Sequence, residues 1–140
     1  GLENVEFYRY GVMHRNTFIN SPKLLNADFC TKKDKNVYFA GQITGVEGYI
    51  ESAMSGIIAG YSLAKKIKGE EPVMLPKTSM MGALAAYISD ENVVDFQPMG
   101  CNMGILPALE NKIKDKTQRY LTLAMRGIND LKQVLGKGEE

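Results

Sequence analysis

An α/β fold is what this sequence predicts, and three observations in one stretch carry the prediction. Val37 to Ala40 is a short apolar run of the kind that forms a buried strand in a parallel sheet. A glycine-rich turn follows, Gly41-Gln42-Ile43-Thr44-Gly45-Val46-Glu47-Gly48, and a long helical pattern then runs to Lys68. Strand, glycine turn and helix in that order bring a helix N-terminus to face a ligand. Ile50, Ala53, Met54, Ile57, Ile58, Tyr61 and Ala64 recur with helical spacing and predict one buried face. Ser52, Gly56, Gly60 and Ala64 form a second stripe, of small residues that allow close backbone packing.

The remaining elements follow in order. Val5 to Tyr10 alternates, which predicts an antiparallel or edge strand. Gly11 interrupts it, and extended structure resumes from Met13 to Ile19 until Ser21-Pro22 ends it. Lys32 to Lys35 is a charged, solvated turn, and Gly69 stops the long helix. Thr78 or Ser79 caps a second helix, with Met80, Met81, Leu84, Tyr87 and Ile88 on one side. Asp95 to Pro107 has the glycine and proline of a loop but is too apolar to be left in water, so it must pack against something. Pro107 suits the first position of a helix. From Leu109 a helical pattern includes Ile113, Tyr120, Leu121, Ala124, Ile128, Leu131 and Leu135, with Lys114-Asp115-Lys116 as a kink or junction. Residues 1–68 thus carry strands, turn and long helix, and 69–140 are mainly helical.

The chain of 140 residues suffices for one domain of ordinary size. Charged residues make up 24% and the net charge is +1, which argues against both disorder and a polybasic protein. Cys30 and Cys101 lie far apart without a ligand-type spacing, and His14 is the sole histidine, so no metal site is expected. Both cysteines read as reduced packing thiols of a cytoplasmic protein. No apolar run has the length of a membrane span and no signal peptide is apparent. The chain opens on Gly1 without an initiator methionine, which reads as the end of a longer protein.

The glycine turn is the sharpest chemical signal. Its spacing is GxxxGxxG, neither the GxGxxG of a first dinucleotide-binding turn nor a Walker A loop. Free N–H groups at the helix start favour negative charge, such as a pyrophosphate or the N1–C2=O edge of a reduced flavin. The competing reading is a capping box: Thr44 and Glu47 have the S/T-x-x-E spacing, worth about 1 kcal/mol. His14, Arg15 and Asn16 form the densest polar run and suit stacking on a flat heterocycle. No neighbouring serine or cysteine supports a nucleophilic triad. Lys112, Lys116 and Arg119 fall at i, i+4 and i+7 and would share a helix face, either solvated or touching RNA phosphates.

Three stretches then identify a resemblance: Tyr10-Gly11-Val12-Met13-His14-Arg15-Asn16-Thr17-Phe18-Ile19-Asn20-Ser21-Pro22, Phe39-Ala40-Gly41-Gln42 through Glu51-Ser52-Ala53, and Phe96-Gln97-Pro98-Met99. They resemble the TrmFO family of folate- and FAD-dependent tRNA (uracil-5-)-methyltransferases, over nearly the whole chain but only as that family's C-terminal third. The related GidA/MnmG family, which modifies wobble uridines, has a similar GQ-x-x-G-x-x-GY turn but lacks the MHRNTFINSP and FQPM stretches. The resemblance implies methylene transfer from methylenetetrahydrofolate to C5 of a T-loop uracil in tRNA, with FAD reduced by NAD(P)H supplying electrons. It also implies the C-terminal fragment of a glutathione-reductase-like FAD-binding domain. Gly41, Gln42, Ile43, Thr44, Gly45, Val46, Glu47 and Gly48 would line the flavin; His14, Arg15 and Asn16 would lie where the pterin stacks. Lys112, Lys116 and Arg119 are the candidates for RNA. The family's catalytic cysteines and first dinucleotide-binding turn match nothing here, so the chain alone is expected to be inactive, awaiting the missing N-terminal part and prone to self-association. The rival from another class is a non-catalytic interaction module that docks a partner through Phe96 to Leu106.

Overall fold

The computed structural model describes residues 3–8 and 17–136. Four α-helices organise them: α1 (Ser21–Leu24), α2 (Tyr49–Ile67), α3 (Met80–Ser89) and α4 (Lys116–Val134), with 3-10 turns at Gln42–Thr44 and Met103–Ile105. The hub is α3. Its Met81, Gly82, Ala83, Leu84, Ala85 and Ile88 are all buried, so it is covered on more than one side rather than on the single face that its periodicity suggested. Met81, Leu84 and Ile88 join Phe29, Val46, Ile58 and Phe96 in the main core, while Ala83 joins Leu106 and Leu123 in a smaller one. Burying one such leucine or isoleucine contributes about 1.5–3 kcal/mol.

Local chemistry accounts for the helix ends. Ser79 caps α3 by accepting the Gly82 N–H at 3.1 Å, as the sequence indicated. Gly69, at φ 75°, closes α2: its N–H donates to the Lys66 carbonyl and the Glu70 N–H to the Lys65 carbonyl, both at 2.9 Å. That pair of bonds is a Schellman motif. Asp115 starts α4 by accepting the Gln118 N–H at 2.7 Å.

Several expectations are corrected. Among the described residues no strand forms; pairing is confined to three isolated bridges, Leu25 with Thr31, Cys30 with Tyr38 and Val46 with Met99. Residues 37–40 are extended but not a buried parallel strand, and Val37 is 41% exposed. A parallel strand needs a crossover-connected neighbour, and among the described residues only the 29–31 segment lies alongside. The described residues are therefore mostly helical. Residues 3–8 form no strand, and Val5, Phe7 and Tyr8 are exposed; the rest of that expected strand, Arg9 and Tyr10, and the Met13 to Asn16 part of the expected extended stretch lie outside the described residues. Ser21-Pro22 opens the short α1 instead of ending a segment, because proline's fixed φ suits a first helical turn. Pro107 does not start a helix: residues 107–115 are irregular, and the Arg126 guanidinium straps the Pro107 and Ala108 carbonyls onto α4.

The long helix also turns differently. Its buried residues are Ser55, Ile58, Ala59 and Ser62, whereas Ile50 and Ile57 are 78% and 61% exposed and Tyr61 is exposed as well. Periodicity marked an apolar stripe correctly, but burial requires a partner, and the described chain covers the adjacent stripe. Gly56 and Gly60 meet nothing among the described residues, so no close backbone approach there uses them. The uncovered stripe borders an apolar groove of about 640 Å³ whose other wall includes Ile128 and Leu131 of α4 and Leu135 just beyond it. No helix among the described residues is long and apolar enough to cross a membrane.

Candidate functional site: the glycine turn and the head of the long helix

The turn at residues 41–48 is held from three sides. Beneath it, the buried Ser55 Oγ of α2 accepts the Gly41 N–H at 2.7 Å and donates to the Ser52 carbonyl at 2.7 Å. On one flank, the Ile19 N–H donates to the Ile43 carbonyl at 2.9 Å, and the buried Ser21 hydroxyl donates to the Thr44 carbonyl at 2.7 Å. On the other flank runs the 96–101 segment. Met99 pairs with Val46 in parallel fashion, the Glu47 N–H donating to the Met99 carbonyl and the Met99 N–H to the Gly45 carbonyl, both at 3.0 Å. The Glu51 carboxylate accepts the Cys101 N–H at 3.1 Å, joining this segment to the first turn of α2.

Gly45 explains why the turn needs glycine. It sits at φ 85°, and a Cβ there would lie 2.4 Å from the Phe96 ring. Phe96 is buried, edge-on to Phe18 at 5.9 Å and tilted against Tyr87 at 5.6 Å. The apolar loop is thus packed against the chain itself, as its composition required. Phe96, the first residue of the Phe96 to Leu106 loop that the interaction-module reading would offer to a partner, is spent inside.

The eight turn residues divide into two sets. Thr44, Gly45 and Val46 are buried and support the bend; Gln42, Ile43, Glu47 and Gly48 are exposed, with Gly41 half-buried. The capping box does not form. Gly48, at φ 101°, is the residue preceding α2, and it has no side chain to cap with. Thr44 instead donates its hydroxyl to the Gly41 carbonyl at 2.8 Å, too far back along the chain to reach the helix amides. The N–H groups of Gly48, Tyr49 and Ile50 therefore meet no acceptor among the described residues, while that of Ser52 makes the first helical bond, to the Gly48 carbonyl. Donors at a helix head without a side-chain cap suit an electron-rich group, and the Glu51 carboxylate of the first turn already lies beside Gly48.

Neither cysteine is activated. Burial, followed by the charge of Glu51, pushes the Cys101 thiol up to about 11. Burial and then Asp28 also raise Cys30, whose thiol faces the Thr31 and Lys35 carbonyls at 3.4 Å each. Both are free thiols with the character of packing groups.

The other predicted residues fare unevenly. His14, Arg15 and Asn16 lie outside the described residues. Lys112 precedes α4, so it does not share a helix face with Lys116 and Arg119; the early helix start at Leu109 fails because Asp115 caps six residues later. Lys112 and Arg119 nevertheless line one hollow, and Lys116 and Arg119 each stand 5.6 Å from the Tyr120 ring centre. Sequence reasoning missed Ser21, Ser55 and Met99 as the residues that fix the turn. The serine in Ser21-Pro22 and the unusual apolarity around Met99 were visible signals; nothing in the sequence marked Ser55.

Comparison with known proteins adds a family to this geometry. The family model described as "Glucose inhibited division protein A" matches residues 1–71. Three curated bacterial relatives carry the name methylenetetrahydrofolate–tRNA-(uracil-5-)-methyltransferase TrmFO. The protein of Acetivibrio thermocellus is 55% identical over 137 residues, which cover 98% of this chain and 31% of the relative. That of Halalkalibacterium halodurans is 53% identical, covering 98% and 32%. That of Staphylococcus epidermidis is 56% identical over 132 residues, covering 94% and 30%. The chain thus spans about a third of the length of the relatives it matches, and the similarity runs through the turn, the 96–101 segment and α4 alike.

Proposed function

As the chain belongs to the glucose-inhibited division protein A family, we propose that it forms the flavin-facing third of an intact tRNA-modifying enzyme. That enzyme would methylate C5 of a tRNA uracil with methylenetetrahydrofolate, the activity named for the relatives that match nearly the whole chain. The observation that carries this reading is the row of N–H groups at Gly48, Tyr49 and Ile50, exposed at the head of α2 and braced by the Met99 pairing. Bound FAD, reduced by NAD(P)H, would supply the electrons. The chain's part is to bind and orient. Gly41, Gln42, Ile43, Glu47 and Gly48 form the rim against the ring, the helix-head amides donate to its electron-rich edge, and the buried Thr44, Gly45 and Val46 keep the bend rigid. His14, Arg15 and Asn16 are assigned to the folate, and Lys112, Lys116 and Arg119 to the RNA. Such an enzyme works in the cytoplasm, on tRNA.

The rest of the polypeptide is the partner this chain needs. The groove between α2 and α4 is lined almost wholly by apolar side chains, Ile50, Ile57 and Tyr61 among them, and the relatives are about three times as long as this chain. We assign the groove to that remaining two thirds; a second copy of the chain would cover it in the isolated fragment. Purifying the intact protein and the 140-residue chain side by side tests the reading. The intact protein is expected to carry flavin stoichiometrically, and Gly48→Val to lower its flavin content. Stoichiometric flavin in the short chain, or full flavin in the Gly48→Val protein, would overturn it.

A further inference from the structure

We infer that the hollow beside Tyr120 is a subsite for one unstacked nucleotide of the RNA, separate in its elements from the glycine turn. The inference rests on the reading that the intact protein acts on tRNA. The hollow measures about 370 Å³, at the small end of the roughly 300–1,000 Å³ typical of ligand pockets. It is formed by the Met103–Ile105 turn, the irregular stretch after Pro107 and the first turns of α4. Three features give it the chemistry of a nucleotide.

The first is charge. Lys112 and Arg119 line the hollow and Lys116 stands at its edge; among the described residues none of the three has an ion-pair partner. No carboxylate lines the hollow, and the nearby Asp115 is already engaged as the cap of α4. Unneutralised cations around a concave surface attract phosphate and release its counterions.

The second is a platform. Tyr120 is half-buried and packs on the Ala83–Leu106–Leu123 cluster, so its ring is held in place while one part faces the hollow. Arg119, 5.6 Å from that ring, adds a second flat group. Aromatic and guanidinium faces are what an extruded base stacks on, and they are of no use to a base already stacked within a duplex. The third is an edge reader. Asn111 is exposed on the wall with both donor and acceptor to offer.

The test uses the full-length protein with tRNA and, as a control, a blunt RNA duplex. Tyr120→Ala is expected to weaken tRNA binding about five-fold or more, the effect of losing one base–aromatic stack, and to leave the salt slope and duplex binding unchanged. Tyr120→Phe should bind as the parent does. Lys112→Ala should lower the salt slope by about one. Because Tyr120 is half-buried, Asn111→Ala serves as the exposed variant that leaves the fold intact, and it should weaken tRNA but not duplex binding. If Tyr120→Ala and Asn111→Ala both bind tRNA like the parent, the subsite is refuted. Equal loss on tRNA and duplex would likewise refute a single-nucleotide site. Failure of the unaltered full-length protein to bind tRNA at all would instead bring down the functional reading on which the subsite rests.

Discussion

Val46 and Met99 lie side by side as a parallel bridge, fifty-odd residues apart in sequence, with two 3.0 Å hydrogen bonds flanking them. One partner belongs to the glycine turn and the other to the Phe96-Gln97-Pro98-Met99 stretch, so two separated motifs form one structural unit. Phe96 fills the space over Gly45, and Glu51 holds the Cys101 N–H, which extends the junction to the head of α2. The stability of that unit should therefore govern how well the exposed amides at Gly48 to Ile50 are presented.

Gly45→Ala tests the junction most directly. The added Cβ would fall 2.4 Å from the Phe96 ring at a backbone φ of 85°. Steric and backbone costs combine to an expected loss of about 2–4 kcal/mol in denaturant unfolding of the intact protein. Adding Phe96→Leu should recover only part of the loss, since φ strain remains. An unchanged unfolding midpoint for the single variant would show that the turn and the loop do not meet in this way.

Ser55→Ala removes the group that accepts the Gly41 N–H and leaves that donor with no replacement at 2.7 Å. The expected cost is about 1–3 kcal/mol. A flavin-binding defect larger than the stability loss predicts would place Ser55 as a positioning residue for the bend. Wild-type stability together with wild-type flavin affinity would contradict the brace.

Gly127→Ala decides between propensity and packing. In an exposed helix the change would stabilise by about 0.5–1 kcal/mol. Here Gly127 is buried, and a Cβ would meet the Thr78 carbonyl oxygen at 2.5 Å, beside the Thr78–Asp130 hydrogen bond, also 2.5 Å. Packing should win, lowering stability by about 1–3 kcal/mol. A raised melting temperature would mean that α4 does not lie on the 78–79 segment.

Cys101 carries the pH dependence. Its folded-state pKa, about 11, lies above the ordinary thiol value because burial and then Glu51 disfavour the thiolate. The fold thus favours the protonated form; this contribution is intact below the unfolded-state pKa of about 9 and is lost as pH rises towards about 11. At about pH 9, where such an ordinary thiol is half ionised, alkylation of Cys101 should be roughly fiftyfold slower than that of an exposed cysteine. Glu51→Gln should speed it. Peptide mapping that finds Cys101 modified at the rate of a free thiol would refute the shielding.

Some of this was readable from residues alone, for reasons of range. Ser79 as a cap and Gly69 as a stop depend on hydrogen bonds spanning five residues or fewer, and both were legible. The apolarity of Phe96 to Leu106 required a packing partner without naming it, because composition has no direction; only the folded chain identified Gly45 and Val46. The stripe carrying Ile50, Ile57 and Tyr61 was periodic, yet it is exposed, because periodicity finds a face and neighbours decide whether it is covered. Likewise the Thr44–Glu47 spacing matched a capping box, but the backbone bent through positive φ at Gly45 and Gly48 and started the helix after Thr44 could reach it.

What the sequence determined by itself was the glycine spacing, the location of α2 and α3 and the family likeness, since each is fixed by residue type and short separation. Tertiary structure decided which side of α2 is buried, that Met99 pairs with Val46, and that Lys112 meets Arg119 across a hollow instead of along a helix. Those are contacts between segments whose meeting depends on the packing of the whole chain, and no local pattern encodes them.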